Sequence, residues 1–498
     1  MPATALELGR LSPAAFRRFL AAAGIRRFFL AWDEEAGDVR ASHPELAPLA
    51  RLLAADRRDF DRHEGIFVQV APDTGVLQGA FIHRTCRGQA AGGVRFWRYD
   101  TVEDFLRDGL RLARGMTHKN ALAGLWWGGG KGVMVDEREE GEGEAARERQ
   151  AAPPGSPRRR RIYEEYGELL SSLRGCYVTA EDAGTSAEDM AAVFSRTRFT
   201  TCIPPPLGGS GNPSAPTARG VVRGMEAALA HLGRGGLAGT TVAVQGLGHV
   251  GEPLVELLRE RGVTRVIGCD LDPARCEGLR RRFAELGAAA GPAASFTFTA
   301  RVAGRDDTWI LEQPADVFAP CATGGVLGPS TILRLAARIV CGAANNQLED
   351  PERDDLLLHR RGILYMPDFL VNRMGIVHCA DEQYGYVGDE DPRIAAHLGT
   401  SLVPPGTAAE VGSAAADPWE NSIYNLSLAI LAEAVRRGEP PARVALRLAE
   451  SRSREPHPIW GHRGAAIIRA LTRQGAWASR CTSFSPSRSA AERTTPSP

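Results

Sequence analysis

The chain has 498 residues, which is enough for two or three domains with large cores, and its 60 basic residues balance its 60 acidic residues. This balance gives no reason to expect nucleic acid or an anionic membrane as a partner, and no apolar run reaches the roughly 18 residues of a membrane-spanning helix. The N-terminus does not have the pattern of a secretory signal, so we expect a cytoplasmic protein, with an arginine-rich transit peptide as the alternative. The nine cysteines form no zinc-like cluster, so we expect reduced cysteines and no bound metal.

The predicted elements begin with two strands and a helix. The stretch Gly65–His83 contains two strand patterns around an Asp-Thr-Gly turn, and Val102–Arg114 has the periodicity of an amphipathic helix. Residues 137–161 are rich in Glu, Arg, Gly and Pro and end in four consecutive arginines, which is typical of a solvated, disordered insertion without core-forming residues. We interpret the arginine run as a solvated helix start, with an anion-binding site as the alternative. A helix over Ile162–Leu173 and a strand over Cys176–Ala180 follow.

A second unit begins near Thr217, and from there strand and helix patterns alternate, as in a parallel sheet with crossover helices. We predict an α/β protein of two domains, with an N-terminal α/β domain over residues 1–216 and a Rossmann domain over residues 217–370. Residues 371–478 are predicted to form helices that return to the N-terminal domain. The Ser/Thr/Pro/Arg-rich stretch 479–498 is predicted to be a disordered tail.

A glycine motif in the second unit indicates a dinucleotide site. The β-branched strand Thr240–Gln245 leads directly into Gly246-Leu247-Gly248-His249-Val250-Gly251 and a helix, and the next strand ends in Asp270. The first glycine permits a tight turn, the second lets the backbone approach a pyrophosphate, and the third packs the helix on the strand. Asp270 has the spacing of the carboxylate that holds the ribose 2′-hydroxyl, so we predict NAD rather than NADP, although Arg275 would favour NADP.

Lysine is confined to two positions, since all basic residues other than Lys119 and Lys131 are arginines. Lys119 lies in the motif Gly-Met-Thr-His-Lys-Asn and Lys131 in Gly128-Gly129-Gly130-Lys131-Gly132. A buried ammonium can lose its proton, whereas a guanidinium keeps it, so we interpret these as positions where arginine would fail chemically. Two alternatives stay open: chance survival of surface lysines in an arginine-biased chain, and a Schiff-base lysine enzyme, which would leave the dinucleotide motif without a use.

Further motifs keep a fixed order along the chain: Gly92-Gly93, Thr179-Ala180-Glu181-Asp182-Ala183-Gly184-Thr185, Gly211-Asn212-Pro213-Ser214 followed by Thr217, and Gly342-Ala343-Ala344-Asn345-Asn346-Gln347-Leu348. With the lysine motifs and the dinucleotide motif, they closely resemble the glutamate/leucine/phenylalanine/valine dehydrogenase family over about residues 60–390, above all its leucine and phenylalanine branch. The resemblance implies an active site in the cleft between the two domains and self-association into a homo-oligomer. It also implies reversible, NAD-dependent oxidative deamination of an L-amino acid to a 2-oxo acid and ammonia.

The resemblance further implies roles for individual residues. Lys119 would hold the substrate α-carboxylate, helped by the backbone at Gly92 and Gly93. After hydride has left the α-carbon for the nicotinamide, water must attack the resulting iminium. Lys131, amid glycines and near another cation, should have a lowered pKa suited to activating that water.

Asp182 would exchange protons with the amino group and the carbinolamine, with a helix N-cap as the alternative role. Asn345 would bridge substrate and nicotinamide, with a simple turn as the alternative, and Thr217 would touch the cofactor. We interpret His118, beside Lys119, as structural, because the reaction already has its base.

The substrate pocket departs from the family at Arg373-Met374-Gly375-Ile376, where relatives usually have Ala-Gly-Gly before an apolar residue. Small Ala91 and Ala180, adaptable Met116 and apolar Ile376 suit a bulky aliphatic or aromatic side chain. A guanidinium turned into the cleft would instead favour an acidic side chain, but we expect Arg373 to point outward or to pair with an acid such as Asp381. We therefore predict activity on apolar amino acids above that on glutamate. The alternatives are a glutamate-type dehydrogenase and a non-catalytic or regulatory homologue that binds NAD or an amino acid without turnover.

Overall fold

The computed structural model describes residues 5–136, 152–289, 296–304, 306–399, 419–473 and 477–478. It divides into two compact units. The first comprises the described parts of Met1–Met116, Trp127–Leu207 and Pro456–Pro498, and the second those of Thr117–Trp126 and Gly208–Glu455. Most of the predicted insertion and all of the predicted tail lie outside the described residues.

The described strands of the first unit are β1 (Arg27–Asp33), β2 (Asp38–Ala41), β3 (Gly65–Val70), β4 (Leu77–Arg84), β5 (Ala90–Ala91), β6 (Val94–Trp97), β7 (Gly128–Val135) and β8 (Tyr177–Val178). They form one sheet in the order β2-β1-β3-β4-β7-β5-β8, with β6 paired to β7. Strands β3 and β4 are the two strands predicted within Gly65–His83. The sheet is antiparallel from β2 to β7, whereas β5, β6 and β8 pair in parallel. Buried Ile66, Val68 and Phe81 contribute to its core.

The described helices are α1 (Ala5–Arg10), α2 (Pro13–Ala22), α3 (Ala47–Ala55), α4 (Val102–Leu122), α5 (Pro157–Ser172), α6 (Ala187–Phe194), α7 (Ser214–His231), α8 (Gly251–Glu260), α9 (Pro273–Ala289), α10 (Pro329–Ile332), α11 (Pro351–Arg360), α12 (Asp368–Val371), α13 (Met374–Tyr384), α14 (Pro392–Ala395), α15 (Ile423–Arg437), α16 (Pro441–Ser453) and α17 (Arg463–Thr472). In this described part of the chain, each helix falls short of the length or the apolar character needed to cross a bilayer.

Helix α5 corrects the predicted boundary of the insertion. We expected a solvated insertion through residue 161 with a helix start at its arginine run, and the helix begins at Pro157, capped by the Ser156 hydroxyl. The arginine run is not simply solvated, because Arg159 is buried and donates from Nε and a terminal nitrogen to the two carboxylate oxygens of Asp189, at 2.8 and 2.6 Å. Composition alone did not reveal this partner, which lies 30 residues further along the chain.

The described strands of the second unit are β9 (Thr241–Gln245), β10 (Arg265–Asp270), β11 (Thr297–Val302), β12 (Val317–Pro320), β13 (Ile339–Val340) and β14 (Leu364–Tyr365). They form a parallel sheet in the order β11-β10-β9-β12-β13-β14. This is the Rossmann order, in which the chain reverses direction across the sheet beside the first strand. The predicted parallel sheet is therefore confirmed, and β9 occupies its centre with Val242, Ala243 and Val244 buried.

The C-terminal helices differ from the prediction that they return to the N-terminal domain. Helices α13, α15 and α16 belong to the second unit, and α17 belongs to the first. Helix α15 buries Leu426, Ile430 and Leu431 in the same core as Val221 and Met225 of α7. The sequence predicted helices over residues 371–478 but contained no signal for the surface that α15 covers.

Candidate active site

Lys131 lies at the middle of β7, between two glycines whose missing side chains leave room for two tyrosines. A Cβ at Gly130 would lie 2.7 Å from the ring of Tyr177, and a Cβ at Gly132 would lie 2.2 Å from the hydroxyl of Tyr166. Alternate residues of a strand face opposite sides, so Lys131 points away from these rings. Its side chain is 4% exposed.

The buried ammonium of Lys131 has a carboxylate partner, because its Nζ lies 2.9 Å from Oδ2 of Asp182. The backbone of Asp182 is held by Thr185, whose hydroxyl accepts from the Asp182 N–H at 2.8 Å and donates to its carbonyl at 2.8 Å. The alternative role of Asp182 as a helix N-cap is wrong. Helix α6 is capped by Ser186, with Asp189 completing a capping box.

A guanidinium and a second carboxylate complete this cluster in the first unit. Nε of Arg95 donates to Asp182 Oδ2 at 3.3 Å, and its Nη1 donates to both oxygens of Asp108, at 3.2 and 3.1 Å. The Tyr99 hydroxyl donates to Asp108 Oδ2 at 2.6 Å. Sequence reasoning did not identify Arg95 or Asp108. The position of Arg95 two residues after the Gly92-Gly93 pair was a signal that could have found it.

The surroundings of Lys131 shift its proton equilibrium. Burial lowers the pKa of Lys131 below its ordinary value, the charge of Arg95 lowers it further, and Asp182 opposes both. Burial alone would raise the pKa of Asp182, but the charges of Lys131 and Arg95 bring it well below its ordinary range. The arrangement therefore favours an ionised Asp182 beside a lysine that can be deprotonated.

The three remaining residues predicted in the first unit for substrate binding lie near this cluster. A Cβ at Gly92 would lie 2.8 Å from Cγ of half-buried Met116, and a Cβ at Gly93 would lie 2.9 Å from Cβ of Asp182. The two glycines differ in their backbone bonds. The Gly92 N–H donates to the Val178 carbonyl at 3.3 Å, whereas among the described residues the Gly93 N–H makes no hydrogen bond. This leaves Gly93 as the better placed donor for a substrate oxygen.

Lys119 lies in the second unit with a different set of partners. Its Nζ donates to Oδ1 of Asn345 at 3.0 Å, and Nδ2 of Asn372 donates to the same oxygen at 2.9 Å. Asn372 also donates to the Ala343 carbonyl at 3.0 Å. The side chain of Asn345 is therefore engaged with a lysine and an amide, which is more than the simple turn residue of the alternative interpretation requires. Asn346, with a φ of 52°, is the neighbour that adopts the left-handed turn conformation.

The structure also shows the surroundings of His118 and Arg373, for which we stated expectations from the sequence. His118 is buried and its Nε2 lies 2.7 Å from Oε1 of Glu450, which fits the structural role that we assigned to it. The expectation for Arg373 was wrong. Its side chain is fully buried and donates to the backbone carbonyls of Leu122 and Asn421, rather than pointing outward or pairing with Asp381. Burial, and then the charge of Arg452, lower the pKa of Arg373 to about 9.

The glycine motif after β9 has the backbone geometry that a dinucleotide needs. Gly246 has a φ of 91°, and a Cβ there would lie 2.9 Å from the backbone nitrogen of Ala322. A Cβ at Gly251 would lie 1.9 Å from the carbonyl oxygen of Gly246, so the turn and the start of α8 both exclude a side chain. At Gly248 a Cβ would approach Arg275 alone among the described residues, to 3.4 Å. The bare backbone at this position fits the approach of a pyrophosphate.

Asp270 lies at the end of β10, beside the glycine turn. Its Oδ2 accepts from the Leu247 N–H at 2.8 Å and its Oδ1 from the Asp272 N–H at 2.9 Å. Arg275 Nη1 lies 3.5 Å from Oδ1. Asp270 thus stabilises the turn as well as presenting a carboxylate at the place where a ribose would lie. His249 is exposed and Val250 is half-buried immediately before α8.

Thr217 lies in the first turn of α7, where its hydroxyl donates to the Pro213 carbonyl at 2.8 Å. A Cβ at Gly375 would lie 2.7 Å from that hydroxyl oxygen. Thr217 therefore packs against the Arg373–Ile376 segment, in which this chain departs from the family pattern.

Comparisons with known proteins identify the family. A model described as Glutamate/Leucine/Phenylalanine/Valine dehydrogenase matches residues 208–384, and one described as Glu/Leu/Phe/Val dehydrogenase, dimerisation domain, matches residues 66–199. Leucine dehydrogenase of Geobacillus stearothermophilus is 38% identical over 66% of this chain and 80% of its own length. The chain belongs to this dehydrogenase family. It is an oxidoreductase, an amino acid dehydrogenase, of a family whose members depend on NAD(P).

Further relatives support the same assignment. Valine dehydrogenase of Streptomyces coelicolor is 35% identical over 83% of this chain and 98% of its own length. The crystal structure of L-tryptophan dehydrogenase from Nostoc punctiforme is 30% identical and has a TM-score of 0.56, covering 78% of this chain and 96% of that one. These relatives confirm the predicted membership of the family and its two-domain α/β architecture.

Proposed function

We propose that this dehydrogenase catalyses the reversible, NAD-dependent oxidative deamination of an L-amino acid with an apolar side chain, giving the 2-oxo acid and ammonia. The observation that carries the proposal is the buried Lys131–Asp182 pair, 2.9 Å apart, with Arg95 on the same carboxylate oxygen. A buried lysine with a lowered pKa and an ionised acid beside it is what general acid–base chemistry at an amino-bearing carbon requires.

In this mechanism Lys131 acts as the general base. Its neutral amine accepts a proton from the water that attacks the iminium carbon, and its ammonium returns that proton when the reaction runs in reverse. The carboxylate of Asp182 exchanges protons with the amino nitrogen of the substrate and of the carbinolamine. A bound nicotinamide supplies the hydride acceptor for the α-hydrogen of the amino acid.

Lys119 and Asn345 bind rather than exchange protons in this proposal. Lys119 would hold the substrate α-carboxylate as a charge-assisted hydrogen-bond donor, with the Gly93 N–H as a second donor. Asn345, fixed by Lys119 and Asn372, would contact both the substrate and the nicotinamide. The hydrogen bonds that converge on its Oδ1 support this role, because they fix the orientation of the amide before a ligand arrives.

For the cofactor we propose NAD over NADP. Gly246, Gly248 and Gly251 would surround the pyrophosphate, with His249 and Val250 between them and Thr217 against the cofactor from α7. The carboxylate of Asp270 would accept hydrogen bonds from the ribose hydroxyls and repel a 2′-phosphate. The fixed position of that carboxylate beside the glycine turn supports this preference.

Three observations support an apolar substrate. Ala91 and Ala180 are small and buried, and they lie two residues before Gly93 and Asp182, respectively. Met116 is half-buried beside Gly92. The guanidinium of Arg373, which would have favoured a glutamate side chain, is committed to backbone carbonyls. The similar proteins are named leucine, valine and tryptophan dehydrogenases. We also propose that the chain self-associates, since residues 66–199 match the model described as a dimerisation domain.

The direct test is the formation of NADH, followed at 340 nm, with each of the twenty common L-amino acids, and again with NADP as the oxidant. The proposal predicts activity with leucine, valine, phenylalanine or tryptophan, or several of these, above activity with glutamate. Highest activity with glutamate would contradict the assigned substrate class. No turnover with any amino acid, in protein that still binds NAD, would instead favour a regulatory homologue.

A further inference from the structure

One carboxylate oxygen in the first unit is shared by two cations. Oδ2 of Asp182 lies 2.9 Å from Nζ of Lys131 and accepts from Nε of Arg95 at 3.3 Å. In the proposed reaction Lys131 and Asp182 exchange protons, whereas Arg95 has no role. A guanidinium placed on the same oxygen nevertheless changes how strongly Asp182 can hold the ammonium form of its neighbour.

Arg95 is itself anchored by a second acid. Asp108, on α4, accepts from Nη1 of Arg95 through both oxygens and from the Tyr99 hydroxyl. Arg95 and Asp108 are mostly buried, with side chains 21% and 24% exposed, so water screens their charges less than on an open surface. The result is a row of alternating charges that ends at Lys131.

We propose that Arg95 is a positioning residue for the deamination, one that keeps Lys131 able to give up its proton by occupying part of the Asp182 carboxylate, and that Asp108 limits this effect. The inference rests on the proposed function, because it explains how the base of that reaction is kept available.

Among the described residues, three charged groups face Lys131 from the elements packed around it. Asp182 favours the ammonium, Arg95 disfavours it, and Asp108 favours it from α4. On the opposite face of β7, Tyr166 and Tyr177 stay uncharged, because burial raises the pKa of both phenols. Removal of the Arg95 charge should therefore strengthen the Lys131–Asp182 ion pair, and removal of the Asp108 charge should weaken it.

The variants Arg95→Gln and Asp108→Asn test this with opposite expected signs. The chain has two lysines, so carbamylation by cyanate can be measured at each position by peptide mass spectrometry as a function of pH, with Lys119 as the control within the same sample. We expect the labelling midpoint of Lys131 to rise by about one pH unit in Arg95→Gln, as for the loss of a neighbouring charge, and to fall in Asp108→Asn. A midpoint that stays unchanged in Arg95→Gln, or moves in the same direction in both variants, would overturn the proposal.

Kinetics give a second readout. In Arg95→Gln the acid limb of the pH profile of kcat/KM should shift to higher pH by about one unit. The rate on that limb should then be about tenfold lower than in the wild type, and it should recover at alkaline pH. Arg95→Lys, which keeps the charge, should recover most of the wild-type profile. A uniform loss at every pH, without recovery, would show a merely structural role.

These outcomes are separable from a failure of the proposed function. The labelling measures the proton equilibrium of Lys131 even in a protein without turnover, so an inactive enzyme with shifted labelling refutes the reaction and not the coupling. If Arg95→Gln does not fold, the downward shift expected in Asp108→Asn still decides the matter.

Discussion

The two lysines of the chain occupy contrasting surroundings. Lys131 is enclosed in the first unit by a carboxylate and a guanidinium, and its pKa is lowered by burial. Lys119 is half-buried in the second unit and donates to the amide oxygen of Asn345. Titratable groups around Lys131 favour proton exchange, whereas an oriented amide beside Lys119 favours a fixed hydrogen-bond donor. In the proposed function the same residue type therefore has two chemical roles, and the neighbouring groups determine which role each lysine has.

The substitution Lys131→Arg should have the largest effect on activity. Because a guanidinium keeps its proton, we expect kcat to fall about 10²- to 10⁴-fold, the usual cost of losing a general base. NAD binding, measured by isothermal titration calorimetry, should stay nearly unchanged and serves as the control for folding. A variant that keeps more than half of the wild-type kcat would remove Lys131 from its assigned role.

Lys119 should respond differently. Lys119→Met removes the charged donor that we propose for the substrate carboxylate, and we expect KM for the amino acid to rise about 10- to 100-fold with a smaller loss of kcat. Lys119→Arg is the matched control, since it keeps a positive donor and should recover part of the binding. If Lys119→Arg were as inactive as Lys131→Arg, the two lysines would not divide the work as we propose.

Cofactor preference tests the second unit alone. Asp270→Asn keeps side-chain atoms that can accept the hydrogen bond from Leu247 but removes the charge, so the preference for NAD over NADP should narrow by about fivefold, as for an ion pair of about 1 kcal/mol. Arg275→Ala should move the preference in the opposite direction. Equal kcat/KM for the two cofactors in the wild type would show that Asp270 serves only the turn.

A buried histidine of the first unit should make the stability of the protein sensitive to acid. His63 is fully buried, and burial, followed by the charge of His83, holds its pKa well below 6.5. Below pH 6.5 the histidine is protonated in the unfolded chain but stays neutral in the folded unit. The free energy of unfolding therefore keeps its full value above pH 6.5 and decreases below it, by up to about 1.4 kcal/mol per pH unit. The loss of Tm between pH 7 and pH 5 should be smaller in His63→Gln, and an equal loss in both proteins would contradict this prediction.

The sequence predicted well those features that are local in the chain. The strand, glycine turn and helix around Gly246 follow from adjacent residues, and the isolation of Lys131 among glycines indicated its importance before any partner was known. Asp182 and Asn345 came from the family resemblance, and the structure supplies their hydrogen bonds. These features could be predicted because each one lies within a short continuous stretch.

Features that depend on distant partners could not be predicted in the same way. Arg95 and Asp108 are 13 residues apart, but Asp182, the carboxylate through which Arg95 acts on Lys131 in our proposal, lies 87 residues after Arg95. Arg373 looked like an exposed or ion-paired residue because a buried, unpaired guanidinium is costly. Its carbonyl partners, Leu122 and Asn421, carry no side-chain signature that a sequence could reveal.

The most direct measurement of the central claim is the pH at which Lys131 loses its proton in the native wild-type protein, read from cyanate labelling and peptide mass spectrometry. We predict a labelling midpoint below 10.5, the ordinary pKa of a lysine. A midpoint at or above 10.5 would mean that Asp182 holds Lys131 as a permanent ammonium, and it would contradict the assignment of this residue as the base.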